Sequence, residues 1–343
     1  MKILITGTSG FIGSHLLDAA KLQGHEVVVL NRHPSVPPAG GVQTLELPGW
    51  PVLPRRGAWS DALRRLGKID CVIHLAGNPT YGNGDHYFSA NTSLTKSLVD
   101  TLLSLEHRPR LIFASSIGAS DYEKLKRPAL RLESDVPRPR SDYGRSKLQA
   151  ERLIEESGLD YVILRLGMVF GERMRSASHL RVLARTIEKD FVRSVARHFG
   201  GIMPLVHIDD VVGACLFLIE RDEEGTFNVV GENMPIGVVI DALTGRSTSR
   251  PRRISLGRLG TLLPARLAAL TTPVLQFQNE KLKGLGWSPR GDYRGLVEDY
   301  GLKIHSRSDS ITIITGCASG LGKALFFELD SRGDSLLGVD ANG

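Results

Sequence analysis

The sequence predicts an α/β protein built on a doubly wound parallel sheet, with a smaller C-terminal substrate-binding lobe. Three observations predict it. Short apolar runs alternate with helical patterns over roughly the first half of the chain, as parallel strands joined by crossover helices require. The first run, Lys2–Thr6, enters a turn with glycines at Gly7, Gly10 and Gly13 and then a helical pattern. A second apolar run follows on schedule and ends at Asn31.

The predicted strands are Lys2–Thr6, Glu26–Leu30, Cys71–Leu75, Arg110–Ala114 and Tyr161–Leu164, with helices at Ser14–Gln23, Thr92–Leu105 and Ser146–Ser157 between them. Residues 34–57 are rich in Pro and Gly and hold one weak strand, Val42–Leu45. Past Gly171 the pattern changes. Arg173–Arg197 reads as a basic helix, followed by an apolar piece at Met203–Ile208, a helix at Val211–Ile219 and a strand at Thr226–Val230. The expected organisation is a cofactor-binding core over about 1–170 and a substrate lobe mainly over 171–304. A polar linker, HSRSDS, follows at 305–310, and then an incomplete second unit at 311–343.

Composition narrows the function. The 343 residues contain 41% hydrophobic residues, ample for a core without staples. The net charge of +6 favours anionic partners, but the basic residues form no dense tract, so nucleic acid is not expected. Three cysteines, Cys71, Cys215 and Cys317, lie far apart, and no Cys/His cluster predicts a metal. MKILITG reads as a strand entering a turn rather than a signal peptide. Leu259–Leu275 carries Arg266 and two prolines, which argues against a membrane span. A cytoplasmic protein is expected.

The glycine turn has a physical job. Gly7 allows a tight turn, Gly10 lets the backbone approach a pyrophosphate, and Gly13 lets the helix pack on the strand. Phe11 and Ile12 in the turn, and the new helix behind it, then offer free N–H groups and a positive dipole end to phosphates. At the end of the second strand, Asn31 carries no charge to repel a 2′-phosphate and Arg32 can pair with one. NADP is therefore the first choice of cofactor and NAD the second.

Residues 141–151 read SDYGRSKLQAE. Tyr143 and Lys147 are four apart and share a helix face. A free phenol is a poor proton carrier at neutral pH, and a neighbouring ammonium would stabilise the phenolate. Upstream, Ser115 and Ser116 end a strand, where substrates sit in open α/β sheets. A serine hydroxyl there would hold a substrate oxygen while Tyr143 moves its proton.

At these residues the chain resembles the extended short-chain dehydrogenase/reductase family, the NAD(P)-dependent epimerase/dehydratase group. TGTSGFIG matches its TGxxGxxG turn, and HLAG matches the segment packed on the cofactor, implying roles for Leu75, Ala76 and Gly77. FASS matches the serine strand; its alignment favours Ser116 as the active hydroxyl and places Ala114 at the cofactor. YGRSK matches YxxxK, so the resemblance implies catalytic Ser116, Tyr143 and Lys147, with the last two also holding the cofactor. LRLGMVFG resembles the strand end at the nicotinamide, implicating Leu166 and Met168, and PLVHIDDVV resembles the segment closing the substrate lobe. The family's sugar-nucleotide 4,6-dehydratases carry Asp-Glu just after the active hydroxyl. Here Ile117-Gly118 stand there, so that dehydration lacks its acid and base. At 119–121, ASD replaces the VYG of many members.

Other residues have blander readings. Asn91 matches a family asparagine and equally suits a helix cap. His74 is expected in the core, and His207 with Asp209 is expected to be positional. Arg173, Arg175, Arg181 and Arg185 are either substrate-diphosphate ligands or a solvated helix face.

The implied function is an oxidoreductase acting on a nucleotide-activated sugar by 4-keto reduction or epimerisation. The alternative is a ketoreductase for a polyketide, steroid-like or flavonoid-like carbonyl. A cofactor-sensing module without catalysis is disfavoured by the intact Ser116, Tyr143 and Lys147. The tail repeats the opening: TIITGCASGLGKAL resembles the TGxxxGxG turn of the superfamily's shorter subclass. Asp340 stands 24 residues after Gly316, as Asn31 stands 24 after Gly7. That repeat suggests fusion to a second reductase domain, or pairing with a second copy of the chain as a homodimer.

Overall fold

The computed structural model describes residues 1–31, 42–46, 58–78, 84–120, 129–174, 178–187, 201–245, 275–308, 312–315 and 336–339. The first half alternates strand and helix: β1 (Lys2–Thr6), α1 (Phe11–Leu22), β2 (Glu26–Asn31), β3 (Gln43–Glu46), α2 (Ala58–Arg65) and β4 (Cys71–His74). A short helix, α3 (Gly84–Tyr87), passes through a π-helical turn at Phe88–Ser93 into α4 (Leu94–Leu103). Then come β5 (Arg110–Ser116), a 3₁₀ turn at Ile117–Ser120, β6 (Ala129–Arg131), α5 (Asp142–Glu155) and β7 (Tyr161–Leu166).

The later elements are β8 (Met168–Phe170), α6 (His179–Thr186), β9 (Ile202–His207), α7 (Ile208–Ile219), β10 (Gly225–Val229) and β11 (Glu232–Pro235). They are followed by α8 (Ile236–Thr244), β12 (Leu275–Phe277), α9 (Glu280–Gly284), α10 (Tyr293–Ser308), β13 (Thr312–Thr315) and β14 (Leu336–Val339).

Seven strands form one sheet in the order β10-β7-β5-β4-β1-β2-β3, and every neighbouring pair is parallel. This is the doubly wound Rossmann-type architecture. Its strands are apolar on both faces because successive side chains alternate between two cores. Ile3, Ile5, Val27, Val29, Cys71 and Ile73 pack with α1 and α7. Leu4, Val28, Val72, Leu111, Phe113 and Ile163 pack with α2, α4 and α5. The chain runs outward from β1 through β2 and β3, then restarts at β4 on the other side. That reversal leaves a crevice above the carboxyl ends of β1 and β4, the place where such sheets bind ligands.

A smaller sheet, β11-β9-β8, packs with α6, α8 and α10 in a separate cluster that includes Phe170, Met234, Tyr293 and Tyr300.

Three expectations are corrected. The basic segment after Gly171 becomes helical only at His179: Arg173 has φ 59, a left-handed conformation that breaks a helix, and an extended Ser178 precedes α6. Residues 188–200 lie outside the described residues. The polar HSRS stretch is helical rather than irregular, because α10 runs to Ser308 with no Pro or Gly after Gly301 to stop it. One strand also extends further than apolar patterning marks: β7 reaches Leu166 rather than ending at Leu164.

Candidate active site

One wall of the crevice is backbone. Gly7 ends β1 at φ +77, and a Cβ there would lie 2.8 Å from the Ala76 nitrogen and 2.9 Å from the Leu75 carbonyl carbon. A Cβ on Gly13 would stand 2.1 Å from the Gly7 oxygen. Between them the Gly10 N–H donates to the Gly7 carbonyl at 3.0 Å. Only glycine permits this approach. Gly10 also precedes α1 with no side-chain cap, and the first turn has no carboxylate. The N–H groups at Phe11 and beyond therefore keep their positive end for an anion.

The loop after β4 completes this wall. Thr6 Oγ1 accepts from the Ala76 N–H at 3.1 Å and pairs with His74 Nδ1 at 2.8 Å. His74 Nε2 meets Thr95 Oγ1 at 3.1 Å. Burial drives the His74 pKa down to about 3, so the ring is neutral and structural. These residues fit the diphosphate of a dinucleotide: glycines leave room where a Cβ would intrude, and the helix start supplies donors. Asn31 closes β2 opposite Glu46 of β3. Arg32 lies outside the described residues.

The facing wall is α5. Ser141 caps it, its side chain accepting from the Gly144 N–H at 3.0 Å. A Cβ on Gly144 would stand 2.3 Å from the Gly118 oxygen, so this glycine lets α5 press on the turn after β5. There Ser116 Oγ accepts from the Gly118 N–H at 3.1 Å. Ser116 Oγ and the Tyr143 ring both face Gly118, 3.4 Å and 3.7 Å from where its Cβ would be. The Tyr143 ring lies edge-on to Tyr87, with centroids 5.7 Å apart.

One turn on, Lys147 is 5% exposed. Its Nζ donates to the Ala114 carbonyl at 2.8 Å and stands 4.7 Å over the Phe113 ring. It also lies 3.4 Å from where a Gly77 Cβ would be. The glycine turn, the β4 loop and α5 thus converge on one crevice. Leu166 pairs in register with Ser116, and Met168 opens β8 nearby.

The electrostatics correct one expectation. Burial pushes the Tyr143 phenol above its ordinary value, and the neighbouring Ser116 hydroxyl only opposes this. The Lys147 ammonium is not among the groups that lower it. Burial in turn lowers Lys147 to about 8, against the opposing pull of Glu151.

Several residues were not picked out by sequence. Glu151 is fully buried. It accepts from the Ser115 hydroxyl and from Arg165 at 2.7, 3.1 and 3.2 Å. Ser115 therefore turns toward α5, leaving Ser116 to Tyr143. The signal was there: Glu151 continues the four-residue spacing of Tyr143 and Lys147. Asn91 is not a cap. It lies within the π-helical turn, accepts from the Asn78 N–H at 2.9 Å and donates to Ser146 Oγ at 3.0 Å, tying the β4 loop to α5.

Away from the crevice, His207 Nδ1 accepts from the Asp209 N–H at 3.2 Å and caps α7. The His207 backbone N–H donates to the Tyr293 hydroxyl at 3.0 Å, and Tyr293 donates to Asp210. Of the arginines considered for a diphosphate, Arg173 pairs with Asp18 of α1 at 2.8 Å. Arg181 is buried and donates to the Met174 carbonyl at 3.2 Å. Arg175 lies outside the described residues, as does the Arg185 side chain. Among the described residues no cluster of His, Cys, Asp and Glu suits a metal, and no helix is long and apolar enough to cross a membrane.

Comparison with known proteins identifies the family and the fold. The chain is 29% identical over 325 residues to a UDP-glucose 4-epimerase of Halalkalibacterium halodurans, covering 84% of this chain and 91% of that one. It is 25% identical over 313 residues to a dTDP-6-deoxy-L-talose 4-dehydrogenase (NAD(P)(+)) of Kitasatospora kifunensis, covering 87% and 94%. The fold matches the Bordetella bronchiseptica enzyme WbmG in complex with NAD, with TM-score 0.68 and 19% identity over 89% of this chain and 94% of that one. The NAD dependent epimerase/dehydratase family matches residues 3–230. With its parallel sheet, glycine turn and helical Tyr-x-x-x-Lys in place, the chain belongs to the NAD dependent epimerase/dehydratase family and is an enzyme of that group.

Proposed function

We propose that the protein is an NAD(P)-dependent oxidoreductase acting at C4 of a nucleotide-activated sugar, by 4-keto reduction or 4-epimerisation. One observation carries this reading: the Ser116 hydroxyl and the Tyr143 ring converge on Gly118, 3.4 Å and 3.7 Å from where its Cβ would be, with Lys147 one helical turn behind. The sugar-nucleotide activities named for the two relatives support the substrate class.

The dinucleotide, when bound, supplies the hydride acceptor and donor. The chain's own work is proton transfer and positioning. Ser116 Oγ holds the C4 oxygen, and Tyr143 Oη takes or returns that oxygen's proton. The phenol is held high by burial, so it needs a cation nearby in the working state. Lys147 Nζ carries three N–H donors, of which the Ala114 carbonyl takes one. The remaining donors serve the bound ribose and the phenolate. Dehydration of the sugar is not part of this proposal, because Ile117 and Gly118 offer no acid or base.

NADP is the proposed preference, resting on the uncharged Asn31 at the end of β2. Asn31→Asp should shift preference toward NAD in paired NADH and NADPH titrations. For the reaction itself, the protein is incubated with UDP- and dTDP-sugars with and without NADPH. Net NADPH consumption identifies a reductase, and a C4 epimer without net consumption identifies an epimerase. Absence of both binding and turnover across the panel refutes the substrate class.

The tail is proposed as a second unit of the same plan. The support is register: β1 pairs with β2 in parallel at Lys2↔Glu26, and β13 pairs with β14 in parallel at Thr312↔Leu336. Both offsets are 24 residues. A second NADH site in the full chain, lost in Gly320→Val, would support this; a single stoichiometric site would overturn it.

A further inference from the structure

The face of α5 toward the sheet carries a third polar residue beyond Tyr143 and Lys147. Glu151 sits a further turn along, with no exposed surface. A carboxylate this deep is costly unless it is paired and hydrogen-bonded. Here both of its oxygens accept hydrogen bonds. Arg165, projecting from β7 and itself 4% exposed, reaches it with both Nε and a terminal nitrogen, the latter at 2.7 Å. The Ser115 hydroxyl, on β5, donates to the same carboxylate. Ser115 and Arg165 are direct partners in the β5–β7 register, so one carboxylate clasps two neighbouring strands to α5. Arg165 also reaches the Glu133 carbonyl at 3.4 Å.

We propose that the buried Glu151–Arg165 pair positions Lys147, holding its turn of α5 against β5 and β7 and keeping the ammonium charged. The other groups facing Lys147 explain why such a device is needed. Tyr143, on its own helix, is a neutral phenol. His74, from β4, is buried and neutral. From β5 come the Phe113 ring and the Ala114 carbonyl, and from the π-helical turn the Asn91 amide, whose oxygen closes on the same Gly77 position as Nζ. None of these carries a negative charge. Glu151 is the anion among them, and Arg165 partly offsets it from the far side.

This inference rests on the proposed oxidoreductase reading only for its functional meaning. Its test does not depend on turnover. The full chain is labelled with ¹³Cε-lysine, the Lys147 resonance is assigned by its loss in Lys147→Met, and the midpoint is followed by NMR. Burial already places the wild-type group near 8. Glu151→Gln keeps the shape but removes the anion while leaving Arg165 charged, so the Lys147 midpoint should fall by about one pH unit. The alkaline limb of any turnover profile should move down with it. Because an unpaired Arg165 can unfold the protein, the double variant Glu151→Gln/Arg165→Gln removes both charges. Its midpoint should lie between those of the single variant and the wild type, and below the wild type if only the double variant folds. A midpoint unchanged in whichever variants fold would overturn the proposal, whether or not a sugar nucleotide is turned over. Normal titration behaviour with no turnover on any substrate would instead refute the oxidoreductase reading and leave this one standing.

Discussion

The two walls of the crevice are built in opposite ways. The wall formed by β1, α1 and the β4 loop is defined by missing atoms: Gly7 and Gly13 let backbone lie where any Cβ would collide. Its buried titratable neighbour, His74, is neutral and ties Thr6 to Thr95. The α5 wall is defined by added groups, with Tyr143, Lys147 and Glu151 stacked a turn apart and tied to β5 and β7. A wall made of close backbone should reject added volume and be indifferent to charge. A wall made of buried charge should tolerate modest changes of volume and fail when one charge is removed.

The largest expected effect is on the charged wall. Arg165→Met strands the Glu151 carboxylate in the core and should cost about 3–5 kcal/mol in urea denaturation. Adding Glu151→Gln should recover most of that, as an apolar or neutral replacement of both partners often does. Equal losses in single and double variants would mean that packing rather than charge holds this wall.

Next comes the backbone wall. Gly13→Ala places a methyl 2.1 Å from the Gly7 oxygen and 2.7 Å from Thr8 Cα, so α1 must move. About 2–3 kcal/mol of stability should be lost, together with most of the dinucleotide affinity by fluorescence titration. Lys147→Met, on the opposite wall, should alter the pH dependence of binding more than the stability. Unchanged affinity in Gly13→Ala would remove the steric basis of this wall.

The smallest effect is a slope. The folded His74 protonates only near pH 3, while an unfolded histidine does so near 6.5. Between those values the unfolded chain binds the extra proton. The His74 contribution is therefore full above pH 6.5 and is lost as pH falls toward 3, at up to about 1.4 kcal/mol per pH unit. His74→Asn should flatten this part of the stability profile; a slope identical to wild type would show that other groups produce it.

The sequence made one wall far more legible than the other. Glycine spacing is a local signal, and the turn at Gly7–Gly13 could be read without knowing what it packed against. Alternating apolar runs similarly located β1, β2 and β4, although apolar patterning ended β7 at Leu164, before the polar Arg165. The polar ends of β5 and β7 carry the site. Tyr143 and Lys147 were legible as one helix face, but the direction of the phenol shift was not: it comes from burial, which the assembled fold sets. Glu151 lay on the same spacing, yet its burial is intelligible only once β7 delivers Arg165. Asn91 was read as a possible cap because a π-helical turn leaves no clear mark in sequence. Arg173 was read on a basic helix, as a diphosphate ligand or a solvated residue; its left-handed backbone and its bond to Asp18 are products of the assembled fold.

The division of labour between the walls is tested most directly with Tyr143→Phe, by measuring turnover and dinucleotide binding on the same preparation. Turnover on the sugar nucleotide that wild type uses should fall by roughly 10²–10⁴, while dinucleotide affinity stays close to wild type. Turnover persisting at the wild-type rate would contradict a proton-moving α5 wall set against a cofactor-binding glycine wall.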